Sequence, residues 1–452
     1  MDLLNTIGLS VIAFIFVLGV MIFIHELGHY LVAKYLGIRV ETFSLGFGPR
    51  LLGFRWGDTD YRISLLPLGG YVKMSGENYD ENLTGSPDEF LSRPKLHRFA
   101  VAVAGPLMNI GLALFLLTGQ YMVGIEVPAF KDDPATVEQI HEASPAAEAG
   151  LQIGDTIVAI QGDSTPTWED VELEIATSPN QTLTLTIERN GELLKKQVTT
   201  AVNESLHLGT IGIAPDIPLA VVEVQKDSPA DQAGLQGGDE LISIQEQDVP
   251  ENAWTAERHG METMTEFIAT HEGQPLLFKV RRDDQILETM VVPVDMDGQA
   301  RAGFIVGYDV TKLPMRTEQY GLFAAAQRSV ERTYRITTLT FEILGKLITG
   351  NASLKTMSGP IEIARFSGVA ASAGLVSLIG FMALVSLQLG IFNLLPIPIL
   401  DGGLIALLAI EGIMGRELSL RVKERIFQIG FIFLILLMGV VIFNDLAKNL
   451  AP

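Results

Sequence analysis

The sequence predicts a mixed membrane protein: an α-helical bundle of four transmembrane helices, a membrane-associated β-hairpin and a water-soluble α/β insert. Three observations carry that prediction. Runs of roughly eighteen or more apolar residues, long enough to cross a bilayer, occur at 7–24, 99–125, 374–400 and 426–443. Composition falls between classes: a mean hydropathy of +0.32 with 19% charged residues is too apolar for an ordinary soluble enzyme and too charged for a transporter made only of spans. A long acidic stretch, 126–372, separates the second run from the third. The net charge of −21 argues against a nucleic-acid partner, which requires a basic footprint. With no cysteine in the chain, disulfides and thiolate metal sites are excluded.

The first run begins as a span and then carries "HELGH" at 25–29. Ionisable groups at bilayer depth are expensive and mark function by default. On a helix, residues four apart share a face, so His25 and His29 can hold one metal ion. Glu26 then stands beside that ion, where a carboxylate can take a proton from bound water. The competing reading is a polar patch at the membrane edge, or histidines hydrogen-bonded between helices, and it leaves three buried groups poorly compensated. The run lacks the basic start and small-residue cleavage site of a removable signal peptide.

Orientation follows from Lys and Arg in the short loops. The 34–98 connection holds nine of them, and the loop after the third run holds Arg416, Arg421, Lys423 and Arg425. Both loops read as cytoplasmic, which puts the two termini and the 126–372 insert outside. Within the first loop, 61–77 is apolar, β-prone and broken by Pro67 and by Gly69-Gly70, with Tyr71 following. It reads either as an ordinary cytoplasmic hairpin or as a re-entrant strand whose edge pairs with an unwound substrate helix. In the second case 44–57 joins the same sheet.

A catalytic zinc usually has three protein ligands and an open position. The other histidines, His97, His141, His207, His259 and His271, fall in the insert or ahead of the second span. Asp401, in "FNLLPIPILDGG" at 392–403, ends the third run. Spans one and three run the same way, so His25, His29 and Asp401 reach the same cytoplasmic-side depth. Pro396 and Pro398 break the helix just before Asp401, and irregular backbone at such depth belongs inside protein or beside water. Asp401 also reads as a boundary aspartate before a Gly-Gly turn. Asn393 offers an amide to a substrate carbonyl or an oxyanion, or equally to a neighbouring helix. The ligand types suit zinc, and also iron or cobalt.

These motifs, "HELGH", "AGPLMN" at 104–109 and "NLLPIPILDGG", resemble those of the site-2 protease family of intramembrane zinc metalloproteases in sequence, order and topology. Four spans with an insert between the second and third look most like its bacterial sigma-E-regulating branch, and the resemblance covers nearly the whole chain. It implies Zn2+ held by His25, His29 and Asp401, Glu26 as the catalytic base and Asn393 as a substrate-binding residue. It also favours the re-entrant reading of Gly69, Gly70 and Tyr71. The implied activity is cleavage of a transmembrane helix of a single-span protein. Typical substrates are an anti-sigma factor already shortened outside, with leftover signal peptides a further class. The implied location is a bacterial inner membrane, with termini and insert in the periplasm.

The insert contains a repeat. "ASPAAEAGLQIGDTIVAI" from 143 recurs as "DSPADQAGLQGGDELISI" from 227, a shift of 84 residues. A period of that size is a duplicated small domain. Each copy reads as a short helix, a Gly-Asp turn and an alternating strand, followed by hairpins turning at Asn190-Gly191 and Asp283-Asp284. The pair resembles tandem PDZ domains of bacterial membrane proteases, which implies either binding of a peptide or C-terminus at a sheet edge or a steric filter for large outside parts. The predicted division is 1–125 for spans one and two with the hairpin, 126–215 and 216–310 for the repeats, 311–370 for an amphipathic helical linker on the outer membrane surface, and 371–452 for spans three and four. Two rivals stand beside this reading: a membrane-tethered PDZ scaffold or chaperone with a structural metal, and a transporter. The first needs a fourth ligand, the second an internal repeat among the spans, and neither needs a glutamate between the histidines.

Overall fold

The computed structural model describes residues 3–77, 84–141, 144–202, 208–215, 218–246, 249–256, 261–283, 285–296, 299–308, 315–349 and 359–450. His207, His259 and Asp284 lie outside them. The chain divides into two compact units, one formed by Met1–Ile125, Glu318–Gly345 and Met357–Pro452, the other by Glu126–Thr317 and Lys346–Thr356.

In the first unit, four helices are long and apolar enough to cross a membrane: Gly8–Tyr35, Lys95–Val123, Leu375–Leu394 and Leu420–Leu446. Their surfaces keep large apolar side chains exposed, among them Ile12, Phe16, Phe115 and Phe443, as expected of helices solvated by lipid. Where spans meet, small residues let the backbones close up. A Cβ on Gly28 would lie 2.5 Å from the Ala104 carbonyl oxygen, and one on Gly390 would lie 3.0 Å from that of Pro106.

The apolar run predicts a third span reaching residue 400, but its helix stops at Leu394. Proline disfavours a helical residue before it and brings no N–H. Accordingly Leu395 is extended ahead of Pro396, and Ile399, after Pro398, takes a positive φ of 86°. The chain then restarts as a 14-residue apolar helix, Asp401–Met414, where the sequence reads as loop. Gly402 and Gly403 open it, and any side chain there would strike the carbonyls of Leu395 and Ile397. Its first turn is therefore folded back on the broken segment.

The 40–74 region is a hairpin that doubles back on itself. Its strands, Val40–Trp56 and Thr59–Met74, are both long. Residues 42–45 pair with 60–63 on one side and with 70–73 on the other, while 50–56 pair with 59–64. The result is a four-stranded antiparallel arrangement with 70–74 at one edge. Phe47, Leu51, Leu52, Leu65 and Leu66 are exposed on it, an apolar surface suited to lipid. The Leu322–Ile348 helix stands lengthwise along spans two and three rather than apart from them. Ser329 Oγ lies 2.9 Å from Thr118 Oγ1, Gln388 Nε2 donates to Thr340 Oγ1 at 2.9 Å, and Ile336 packs on Ala113, Leu387 and Ile391.

In the second unit each repeat builds its own core. The first sheet runs in the order 135–136, 156–160, 182–189, 192–199; the second runs 285–291, 276–282, 240–246, 219–224, 304–308. Leu183, Leu185 and Ile187 alternate inward on one strand, as do Leu276, Phe278 and Val280 on its counterpart, each worth roughly 1.5–3 kcal/mol of burial. The 84-residue shift survives in the hydrogen bonds. Val137 N–H donates to Asp155 O as Val221 N–H does to Asp239 O, both at 2.8 Å. Ser144 and Ser228 each cap a four-residue helix. The first hairpin turns through Asn190 (φ 54°) and Gly191 (φ 83°), left-handed conformations that an Asn-Gly pair adopts readily.

Candidate metal centre

The first span stays helical through Tyr35, so His25 and His29 lie one turn apart with their Nε2 atoms 3.1 Å from each other. The Pro-broken segment delivers Asp401 to the same point. Its Oδ2 is 3.1 Å from His25 Nε2 and its Oδ1 is 3.4 Å from His29 Nε2. Both histidines are buried. His29 Nδ1–H donates to the Val101 carbonyl at 2.8 Å, which leaves the Nε2 lone pair facing the cluster.

The three residues fit a divalent cation. Their ligand atoms lie within 4.8 Å of one another. Asp401 Oδ2 is buried and accepts no hydrogen bond from the described residues, although it lies 3.1 Å from His25 Nε2. The second span leaves room at this point, because a side chain at Gly105 would collide with the His29 ring and would come within 2.9 Å of His25 Cε1. Two imidazoles and one carboxylate with an open side are a donor set of the kind that holds catalytic zinc.

The open side is a cavity of about 280 Å³ whose lining includes Glu26, Tyr71, Val72, Met74 and Asn393. Val72, on the edge strand of the doubled hairpin, lines this cavity together with Glu26. That strand comes close to the first span at Gly70: a Cβ there would lie 3.2 Å from Glu26 Cγ and 2.9 Å from the Ile22 side chain. Phe47 covers Gly69, and the Tyr71 ring stacks on Phe47 at 6.1 Å while its hydroxyl meets Arg62. The sequence-predicted residues His25, Glu26, His29, Asp401, Asn393 and Tyr71 thus share one cavity, and Gly70 abuts Glu26.

Sequence reasoning gave no role to Gly105, Asn109 or Val101, which the second span brings against the histidines. Asn109 Nδ2 lies 3.2 Å from His25 Nδ1. A signal was present, since an amide in a charge-free span is itself a costly polar group at depth.

Comparison with known proteins places the chain in context. The model of peptidase family M50 matches residues 13–437. The regulator of sigma-E protease RseP of Escherichia coli K12 is 34% identical over 458 residues, covering 96% of this chain and 98% of that one. The protease RseP of Yersinia pestis is 34% identical over 466 residues, with coverages of 97% and 98%. A Pasteurella multocida protein assigned by name as a zinc metalloprotease is also 34% identical, over 461 residues, with coverages of 97% and 99%. A solved PDZ domain of an SdrC-like protein from Listeria monocytogenes aligns with 20% of this chain and 92% of its own length, at 19% identity and a TM-score of 0.17. The chain belongs to peptidase family M50, the site-2 proteases, and is a zinc-dependent intramembrane metalloprotease.

Proposed function

We propose that this protease cuts transmembrane segments of single-span proteins, above all an anti-sigma factor already shortened on the outside, with leftover signal peptides as a second class. The observation that carries the reading is Glu26, placed on the cavity wall beside three converging ligand groups. His25, His29 and Asp401 would hold the zinc, a Lewis acid that when bound would polarise the scissile carbonyl and acidify water. Glu26 takes the proton from the attacking water and delivers it to the leaving amine. The Asn393 amide, on the same cavity lining, steadies the substrate carbonyl.

A helix hides its carbonyls in its own hydrogen bonds, so the substrate must be straightened before attack. The 70–74 strand pairs with one sheet neighbour among the described residues, and Tyr71, Val72 and Met74 on it line the cavity. Strand addition there, past Gly69, Gly70 and Tyr71, would hold an extended segment against Glu26. Loop charges favour an inner-membrane protein with both termini and the repeats in the periplasm. The repeats then either bind a peptide or C-terminus, or exclude substrates with large outside parts.

The test is to purify the chain and Glu26→Gln, measure zinc in each, and incubate both with a truncated single-span substrate. Cleavage by the unaltered chain alone, with zinc kept in both, is the expected outcome. Equal cutting by both, or none by either across several substrates, would overturn the reading.

A further inference from the structure

Asn109 is fully buried in the second span, four residues after Gly105, and its Oδ1 has no hydrogen-bond partner among the described residues. Its backbone carbonyl accepts from Ser386 Oγ at 2.8 Å, which fixes the residue between spans two and three without engaging the carboxamide. The amide nitrogen, 3.2 Å from His25 Nδ1, is the end that faces the metal cluster.

A neutral imidazole has one donor nitrogen and one acceptor nitrogen. As the amide stands, Nδ2 donates to Nδ1 and the His25 proton belongs on Nε2, the atom that faces His29 and Asp401. A protonated nitrogen has no lone pair for a cation. His29 is arranged the opposite way, with Nδ1–H on the Val101 carbonyl. A half-turn of the Asn109 carboxamide exchanges ends of nearly equal size and resolves both conflicts. Oδ1 then accepts from His25 Nδ1–H, the unpaired buried oxygen gains a donor, and His25 Nε2 presents its lone pair.

The geometry points to Asn109 as the positioning residue that holds His25 in its ligating tautomer through Oδ1. This rests on the reading of His25, His29 and Asp401 as zinc ligands. Outer partners of this kind commonly control metal affinity.

The experiment measures zinc affinity by chelator competition, and the visible spectrum of the cobalt-loaded protein, for the unaltered chain, Asn109→Asp, Asn109→Leu and His25→Ala. Asn109→Asp keeps the acceptor and removes the donor; Asn109→Leu removes both at similar volume. We expect Asn109→Leu to weaken zinc binding about 10–100-fold and to alter the cobalt bands, and Asn109→Asp to restore both. Tight binding by Asn109→Leu, or loss of zinc from Asn109→Asp, would overturn the assignment. If Asn109→Leu does not fold, Asn109→Ala, which also removes both donor and acceptor, takes its place in the same comparison. Failure of the underlying reading looks different: the unaltered chain then binds no stoichiometric zinc, or His25→Ala binds it equally well.

Discussion

Asp155 and Asp239 occupy matching places in the two repeats, each 1% exposed, and each receives two hydrogen bonds from one arginine, Arg189 or Arg282, at 2.6–2.7 Å. A backbone N–H, from Gln152 or Gln236, adds a further bond at 2.8 Å. Asp401, in the span unit, has two imidazole nitrogens within 3.4 Å and yet an oxygen that accepts nothing. Both arrangements bring a carboxylate next to nitrogen-bearing side chains. In the repeats the geometry is satisfied and duplicated, as a scaffold requires. At Asp401 one buried oxygen accepts no hydrogen bond from the described residues. Among these three aspartates it is the satisfaction of hydrogen bonds that differs, the repeat acids being fully bonded and Asp401 not.

The contrast breaks most sharply at Asp401 itself. Asp401→Asn should lose stoichiometric zinc and with it cleavage, while the metal-free variant melts no lower than the metal-free parent. Metal analysis and calorimetry check this, and a large drop in metal-free stability would make Asp401 a scaffold acid like Asp155. Gly105→Ala should come next. Its methyl group would displace the His29 ring, so zinc affinity should fall at least as far as on losing an outer partner, about 10–100-fold, with span helicity unchanged by circular dichroism.

On the scaffold side, Arg189→Leu or Arg282→Leu leaves a buried carboxylate unpaired. Each should destabilise its own repeat by about 3 kcal/mol in urea unfolding and leave zinc content untouched. The Asp155 pair also has a pH signature. Burial pushes its carboxyl pKa up, but the Arg189 hydrogen bonds and the Gln152 N–H outweigh burial and hold it below the ordinary value. A lowered folded pKa means stability that is present above the unfolded value and lost as pH falls through the folded one. Arg189→Leu should therefore flatten the acid limb of the first repeat's stability curve, below about pH 4.

The smallest effect is expected at His271, which lies 3.0 Å from Glu246 and bonds the Phe267 carbonyl. Burial lowers its pKa, and these two partners more than reverse that. A raised folded pKa gives stability that is complete below about pH 6.5 and lost as pH rises through the folded value. His271→Gln should remove that slope from the second repeat, at a cost of about 0.5 kcal/mol for a partly exposed pair. Thermal melts across pH 6 to 9 would show it, and an unchanged slope would refute it.

Some of this was legible without coordinates. The spacing of His25, Glu26 and His29 is a helical period, so one local rule puts both imidazoles on a face. The repeat was legible because duplication copies side chains in order. Asp401 needed one more step, the matching direction of two spans, which apolar runs and loop charges supply. The double-back of the 40–74 strands, the restart of helix at Asp401 and the lengthwise stand of Leu322–Ile348 were not legible. Each depends on what a segment packs against, and a sequence window holds no record of that. Gly105 and Asn109 show the same limit at the site. Sequence alone determined which side chains could hold a metal and hydrolyse a bond. Only the tertiary structure decided how near the second span comes, because that distance is set by Gly28 meeting Ala104 across two helices 76 residues apart in the chain, and so which groups surround the histidines.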